Sequence, residues 1–193
     1  MILRTIGRLF ISTGVLILLF LAYQLFGTNV ITDRHQQALA AEFEALPTSA
    51  PSKPDIGDGM ALIEIPKIEV KQVVVEGVEV EDLKKGPGHY PTTSLPGEQG
   101  NVVISGHRTT YGAPFYRLDE LKVGDEIRLS DRETTYVYRV TETKIVRPGD
   151  LTVVVPTEDA RLTLATCNPR FSARQRLIVV AALEDSPDQG KIQ

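Results

Sequence analysis

The first pattern along the chain is a mostly apolar run, Leu9 to Phe26 (LFISTGVLILLFLAYQLF), with no charged residue in it. At about 1.5 Å per residue, a helix of this length nearly crosses a hydrocarbon core of about 30 Å. Arg4 and Arg8 precede the run, and positive charge stays on the cytoplasmic side of a membrane. The pattern therefore predicts a transmembrane signal anchor over residues 9–26, with residues 1–8 in the cytoplasm and the rest of the chain outside. A cleaved signal peptide is the competing reading, with Ala38-Leu39-Ala40 as its cleavage site. That tripeptide lies well beyond the run, and the run is longer than a usual signal core, so a retained anchor is preferred. Either way the domain is exported.

Past the anchor the pattern changes. Asp33 to Leu46 (DRHQQALAAEFEAL) is rich in Ala and other good helix formers, which predicts a short stalk helix. Pro47, Pro51, Pro54, Gly57 and Gly59 then punctuate a polar stretch, so residues 27–59 read as a stalk and semi-extended linker. His35 falls in the stalk and reads as a solvated side chain. From Met60 to Glu184 short β-branched segments alternate apolar and polar positions: ALIEIPKIEV, KQVVVEGV, GNVVISG, DEIRLSD, TTYVYRVTETKIV, RLTLATC and QRLIVVAAL. Each predicts a strand. EVEDLKKGPG and PFYRLDEL predict helical turns, and the polar tail 185–193 predicts a frayed end. Many short strands, few helices, no βαβ alternation and no glycine-rich phosphate loop point to an all-β barrel or sandwich.

Composition narrows the function classes. The 193 residues are 42% hydrophobic, enough for one domain with a core and appendages. A net charge of −4, with no basic stripe interleaved with aromatics, excludes a nucleic-acid binder. The single cysteine, Cys167, excludes an internal disulfide and a cysteine-based zinc cage. His35, His89 and His107 are far apart, without metal-ligand spacing, so neither a metal nor another cofactor is expected.

An isolated cysteine is more often a small buried hydrophobe than a nucleophile. Its neighbourhood changes that weighting here. Strand alternation puts Leu162 and Leu164 on one face and Thr163, Ala165 and Cys167 on the other. With the leucines in the core, the small residues are expected to leave a shallow groove beside a partly accessible thiol. Residues 168–174 read as a loop, so the strand from Gln175 turns back and brings Arg176 beside Cys167. A guanidinium stays charged and offers five fixed donors; it can favour a thiolate or hold an oxyanion. A thiol nucleophile also needs an acid/base partner. His107, at the end of the GNVVISG strand, is the candidate, although on position alone a structural histidine is equally open. His89, within GPGHYP, is the rival, and its setting argues for a turn.

Two segments carry a family resemblance. TLATCNPRFSARQRLIV (Thr163–Val179) resembles the sortase signature, a TLxTC strand end with an arginine nine residues after the cysteine. NVVISGHRTTYGAPFYRLDEL (Asn101–Leu121) resembles the sortase histidine segment. The resemblance covers about Met60 to Glu184. It implies a closed eight-stranded β-barrel on a Gram-positive cell surface, with Cys167, His107 and Arg176 catalytic. It further implies cleavage of an LPxTG-like sorting signal between Thr and Gly through a thioacyl enzyme. The acyl group would pass to an amine, usually of a peptidoglycan precursor of the lipid II type. Thr166 would line the groove and help position substrate. The same segments look like class E sortases of actinobacteria, which prefer LAxTG; Tyr111 is then expected to reach the substrate backbone beside the second motif residue, where alanine has an N–H and proline has none. Alternatives are a pilin-polymerising class C-like sortase, an L,D-transpeptidase (whose HGxxSxGC motif is absent before Cys167), and a non-catalytic surface binding module with a buried thiol.

Overall fold

The seven alternating segments become strands and Gly88–His89 adds an eighth: β1 (Gly59–Ile65), β2 (Val70–Glu76), β3 (Gly88–His89), β4 (Gly100–Ser105), β5 (Glu126–Ser130), β6 (Thr135–Val146), β7 (Ala160–Asn168) and β8 (Gln175–Leu183). They close into a barrel in the order β1-β2-β3-β4-β7-β8-β6-β5. The computed structural model describes residues 2–45 and 54–184; the middle of the expected linker and the polar tail lie outside the described residues. Most neighbours are antiparallel, but β2 with β3 and β4 with β7 run parallel. Closure leaves no edge strand, although the short β3 pairs with β2 only at Val75 and Glu76.

Period-2 alternation decides which side chains fill the barrel. Ile63, Ile65, Val74, Val102, Ile104, Ile127, Leu129, Leu162, Leu164 and Val179 all belong to one buried cluster. Phe115 and Leu118, from the segment after β4, join it. A smaller cluster of Ala165, Ile178 and Val180 lies on the other face of β7 and β8, packed against Val146 and Val153. The β6–β7 connection, with a 3-10 turn at Leu151–Val153, therefore lies over that outer face. Asn101 fixes it there: its side-chain amide donates to the Val153 carbonyl (2.9 Å) and accepts from the Thr163 hydroxyl (2.7 Å).

At the N-terminus, α1 (Ile2–Ala22) is long and apolar enough to cross a membrane, and none of its residues is buried. It continues through a π-helical turn, Tyr23–Gly27, into α2 (Thr28–Ala45). The helix expected over Asp33–Leu46 is thus present up to Ala45, the last described residue there, but it starts earlier and does not stand clear of the domain. The Gln36 amide donates to the carbonyls of Val73 (3.0 Å) and Lys85 (2.9 Å), and its oxygen accepts from the Val73 N–H (2.8 Å). Leu39 packs on Val73 and Val75. The reason is chemical: β2 turns Val73 and Val75 outward, and burying that apolar face against a helix is favourable.

Candidate active site

β4 and β7 run parallel, with Ser105 level with Ala165. Both strands therefore end at the same rim of the barrel, and β8 starts there. In the β7–β8 register Cys167 lies directly opposite Arg176. Cross-strand partners project to the same face, so the sulfur and the guanidinium stem are neighbours. Beyond β4, the Gly106 N–H donates to the Ala165 carbonyl (3.1 Å), and the Gly106 carbonyl accepts from the Thr166 hydroxyl (2.7 Å). His107 is the next residue. A Cβ at Gly106 would stand 2.7 Å from the Phe115 ring, so only glycine lets the chain pass this close to the core.

Cys167 is a free, partly exposed thiol. Arg176 is partly exposed, and its Nη1 donates to the Ala173 and Gln175 carbonyls, both at 3.0 Å. That anchors one arm of the fork to the β7–β8 loop. His107 is partly buried, and its ring lies 5.0 Å from the Tyr111 ring at 39°. Its Nε2 is buried without a protein hydrogen-bond partner. Burial pushes the His107 pKa below its ordinary 6.5, which favours the neutral imidazole. A concavity lined by Arg147, Pro148, Pro169, Phe171, Ser172, Arg174 and Gln175 opens beside this rim, between the β6–β7 and β7–β8 loops.

Two expectations need correction. Thr166 does not line an open groove: it is 2% exposed, and its hydroxyl is spent on the Gly106 carbonyl. The alternation that turns Cys167 outward turns Thr166 inward, making it a strut between the strand ends that carry Cys167 and His107. The small residues behind Cys167 are also not an open track, because Thr163 and Ala165 are 2% and 7% exposed beneath the β6–β7 connection. His89 is completely buried. Its Nδ1 meets a Glu76 carboxyl oxygen at 2.7 Å, and its Nε2 lies 3.0 Å from both the Thr93 hydroxyl and the Ser94 carbonyl. Tyr111 reaches the site through its contact with His107.

Sequence reasoning passed over Arg108. It is 3% exposed, and its Nη1 donates to the Cys167 carbonyl (3.2 Å) and the Asn168 side-chain oxygen (2.8 Å). Its Nη2 pairs with Asp119 at 3.0 Å, and Arg170 pairs with the same carboxylate at 2.9 Å. Partial burial pushes the Asp119 carboxyl up, but the Arg170 hydrogen bond and the Arg108 charge outweigh it and hold the group below the usual carboxylate range. Arg170 also lies over the Tyr116 ring, 4.3 Å from its centre. The network ties the loop after His107 to the strand end at Cys167. Its only sequence signal is an arginine adjacent to the candidate base. Among the described residues, no group of three or more His, Cys, Asp or Glu side chains is arranged to hold a metal ion.

Residues 63–184 match the Sortase domain family. The chain belongs to the sortase family. This sortase is 32% identical to sortase E1 of Streptomyces coelicolor over 97% of its own length and 59% of that protein's. It is 33% identical to sortase D of Bacillus subtilis, over 86% and 89% of the two chains. Among solved structures it resembles a Clostridium perfringens sortase D5 transpeptidase, with a TM-score of 0.71, 30% identity and coverage of 80% and 99%. Sortase E from Streptomyces avermitilis gives a TM-score of 0.63 at 36% identity, with coverage of 68% and 91%. Sortases are cysteine transpeptidases, and Cys167 is the only cysteine here.

Proposed function

We propose that this sortase cleaves an LAxTG/LPxTG-type sorting signal between Thr and Gly and transfers the acyl part to a cell-wall amine, anchoring surface proteins. The observation that carries the reading is the β7–β8 register, which sets Cys167 opposite Arg176, at the rim where β4 delivers His107.

The Cys167 sulfur attacks the threonine carbonyl carbon, and the carbonyl oxygen becomes an oxyanion. Arg176 stabilises that charge through guanidinium donors held in place by the loop carbonyls. His107, neutral at rest, takes the Cys167 thiol proton as the sulfur attacks and gives it to the glycine nitrogen as the C–N bond breaks, leaving a thioacyl enzyme and a neutral imidazole again. His107 then takes a proton from the incoming amine. That amine attacks the thioester carbon, and the thiolate leaves. The unpartnered Nε2 fits this cycle: substrate supplies the group it lacks in the resting state. Nothing in the scheme calls for a cofactor.

The acceptor in this reading is an amine of a peptidoglycan precursor of the lipid II type, and the donors are secreted proteins bearing the signal. α1 spans the cell membrane with the N-terminus in the cytoplasm and the barrel outside, which agrees with Arg4 and Arg8 at its start. Class E-like selectivity for alanine at the second motif position follows from the likeness to the Streptomyces enzymes, with Tyr111 contacting the substrate backbone there. The likeness to sortase D of Bacillus subtilis, over 89% of that protein, favours a second reading with sortase D-type selectivity.

The test is to incubate the full chain in detergent with LAxTG and LPxTG peptides and sequence the products by mass spectrometry. Cleavage between Thr and Gly with LAxTG preferred supports the reading. A preference that is unchanged in Tyr111→Phe removes the role of that hydroxyl, and no cleavage of either peptide removes the reading itself.

A further inference from the structure

The loop that carries His107 contains an unusual stretch. Tyr111, Gly112 and Ala113 have φ values of 52°, 71° and 42°. Three consecutive left-handed residues, two of them with a side chain, form a conformation that an unsupported loop does not keep. Each of their N–H groups has an acceptor. Ala113 donates locally to the Thr110 carbonyl (3.0 Å). The other two donate to α2: Tyr111 N–H to the Thr28 hydroxyl oxygen (3.2 Å), and Gly112 N–H to the Asn29 side-chain oxygen (3.0 Å).

The acceptors are themselves fixed. The Thr28 hydroxyl donates to the Gln24 carbonyl (2.9 Å), which turns its oxygen lone pairs to Tyr111. One turn on, the Thr32 hydroxyl donates to the Lys84 carbonyl (2.8 Å), and Gln36 makes the three bonds described above. α2 is therefore positioned on the barrel independently of the loop. The approach is close: a Cβ at Gly112 would stand 3.1 Å from the Thr32 methyl. From this turn the Tyr111 ring reaches back to within 5.0 Å of the His107 ring.

We propose that the first turn of α2 is a positioning element for His107, with Thr28 and Asn29 holding the left-handed turn whose tyrosine packs on the imidazole. The inference rests on the reading of His107 as the acid/base group. It makes the segment next to the apolar α1 part of the reaction apparatus, acting through Tyr111 and without touching substrate. Fixing a catalytic group's orientation is a term in turnover more than in substrate binding, and small misplacements of such groups are costly.

The experiment compares the full-length wild type with Thr28→Val/Asn29→Ala in detergent, using an LAxTG peptide. Three readouts are taken: kcat, KM, and amide hydrogen exchange at Tyr111 and Gly112. The expected result is a kcat lower by about ten- to a hundredfold, a KM within about twofold, and faster exchange at both amides. Thr28→Ser with Asn29 intact keeps the acceptor and restores slow exchange and turnover. An unchanged kcat and unchanged exchange in the double variant overturn the proposal. So does a raised KM at constant kcat, which would place these residues in substrate binding. A wild type that cleaves neither this peptide nor an LPxTG one sinks the proposed reading of the site, and exchange at Tyr111 and Gly112 still decides whether α2 holds the turn.

Discussion

His89 and His107 sit near the ends of paired strands in the same barrel, yet their surroundings are opposite. The His89 ring is sealed, with a carboxyl group on one nitrogen and a hydroxyl and a carbonyl on the other. The His107 ring is partly buried, pressed on a tyrosine, and its Nε2 lacks a protein partner. A buried polar atom without a partner costs about 1–3 kcal/mol, and this one belongs to the loop that follows β4, whose end lies level with β7 near Cys167. On the proposed reading of His107 as the acid/base group, the contrast teaches that a structural imidazole is recognised by completeness of its bonds and a chemical one by what it is missing.

The sharpest way to break this contrast is to exchange the two losses. His107→Ala should lower peptide turnover by about 10²–10⁴ and leave urea unfolding close to wild type. His89→Ala should do the reverse. It leaves the Glu76 carboxyl buried without its partner, which costs about 3–5 kcal/mol, while turnover per folded molecule is kept. If His89→Ala proved stable but inactive, the two roles would have been assigned the wrong way round.

Arg176 gives the next largest effect. Arg176→Ala should cost about 10²–10³ in kcat, and Arg176→Lys should restore only part of it, because a point charge lacks the planar fork. Steady-state kinetics of the two variants decide this; full activity in Arg176→Ala removes the assignment. A smaller effect is expected at Thr166. Thr166→Val keeps the shape but strips the Gly106 carbonyl of its donor, for a loss of about 1–3 kcal/mol in chemical denaturation. An unchanged denaturation midpoint would mean that the strut is idle.

The smallest effect concerns pH. Burial holds the His107 pKa below 6.5, so as pH falls the unfolded chain binds this proton first. Acidification through 6.5 therefore costs folded-state stability, and the contribution is fully restored only above that value. Tyr111→Ala, by letting water reach the ring, should raise the midpoint of the His107 ring-proton NMR titration toward the ordinary histidine value and weaken the acid loss. A midpoint that stays put would show that Tyr111 does not shield the imidazole.

Much of this arrangement was legible in the chain itself, because strand alternation is a local property. The period-2 pattern of RLTLATC put Cys167 opposite the core leucines, and the short loop at 168–174 brought Arg176 back beside it; the register agrees. The same alternation implied that Thr166 points inward, although the family resemblance pulled the reading toward a groove residue. What escaped has physical reasons. β3 is only Gly88–His89, too short to have a period. Arg108 is a residue type that is almost always exposed, and only the fold supplies its three acceptors. The docking of α2 relies largely on Thr28, Asn29, Thr32 and Gln36, whose polar side chains make no apolar stripe for a hydrophobic pattern to reveal.

The most direct test of the three-residue site is intact-mass and tandem mass spectrometry of the full chain trapped during turnover of an LAxTG peptide. The account predicts an acyl adduct ending in threonine, carried on Cys167, absent from Cys167→Ala and strongly depleted in His107→Ala and Arg176→Ala. Peptide cleaved without any adduct on Cys167, or an equal adduct in all three variants, would contradict it.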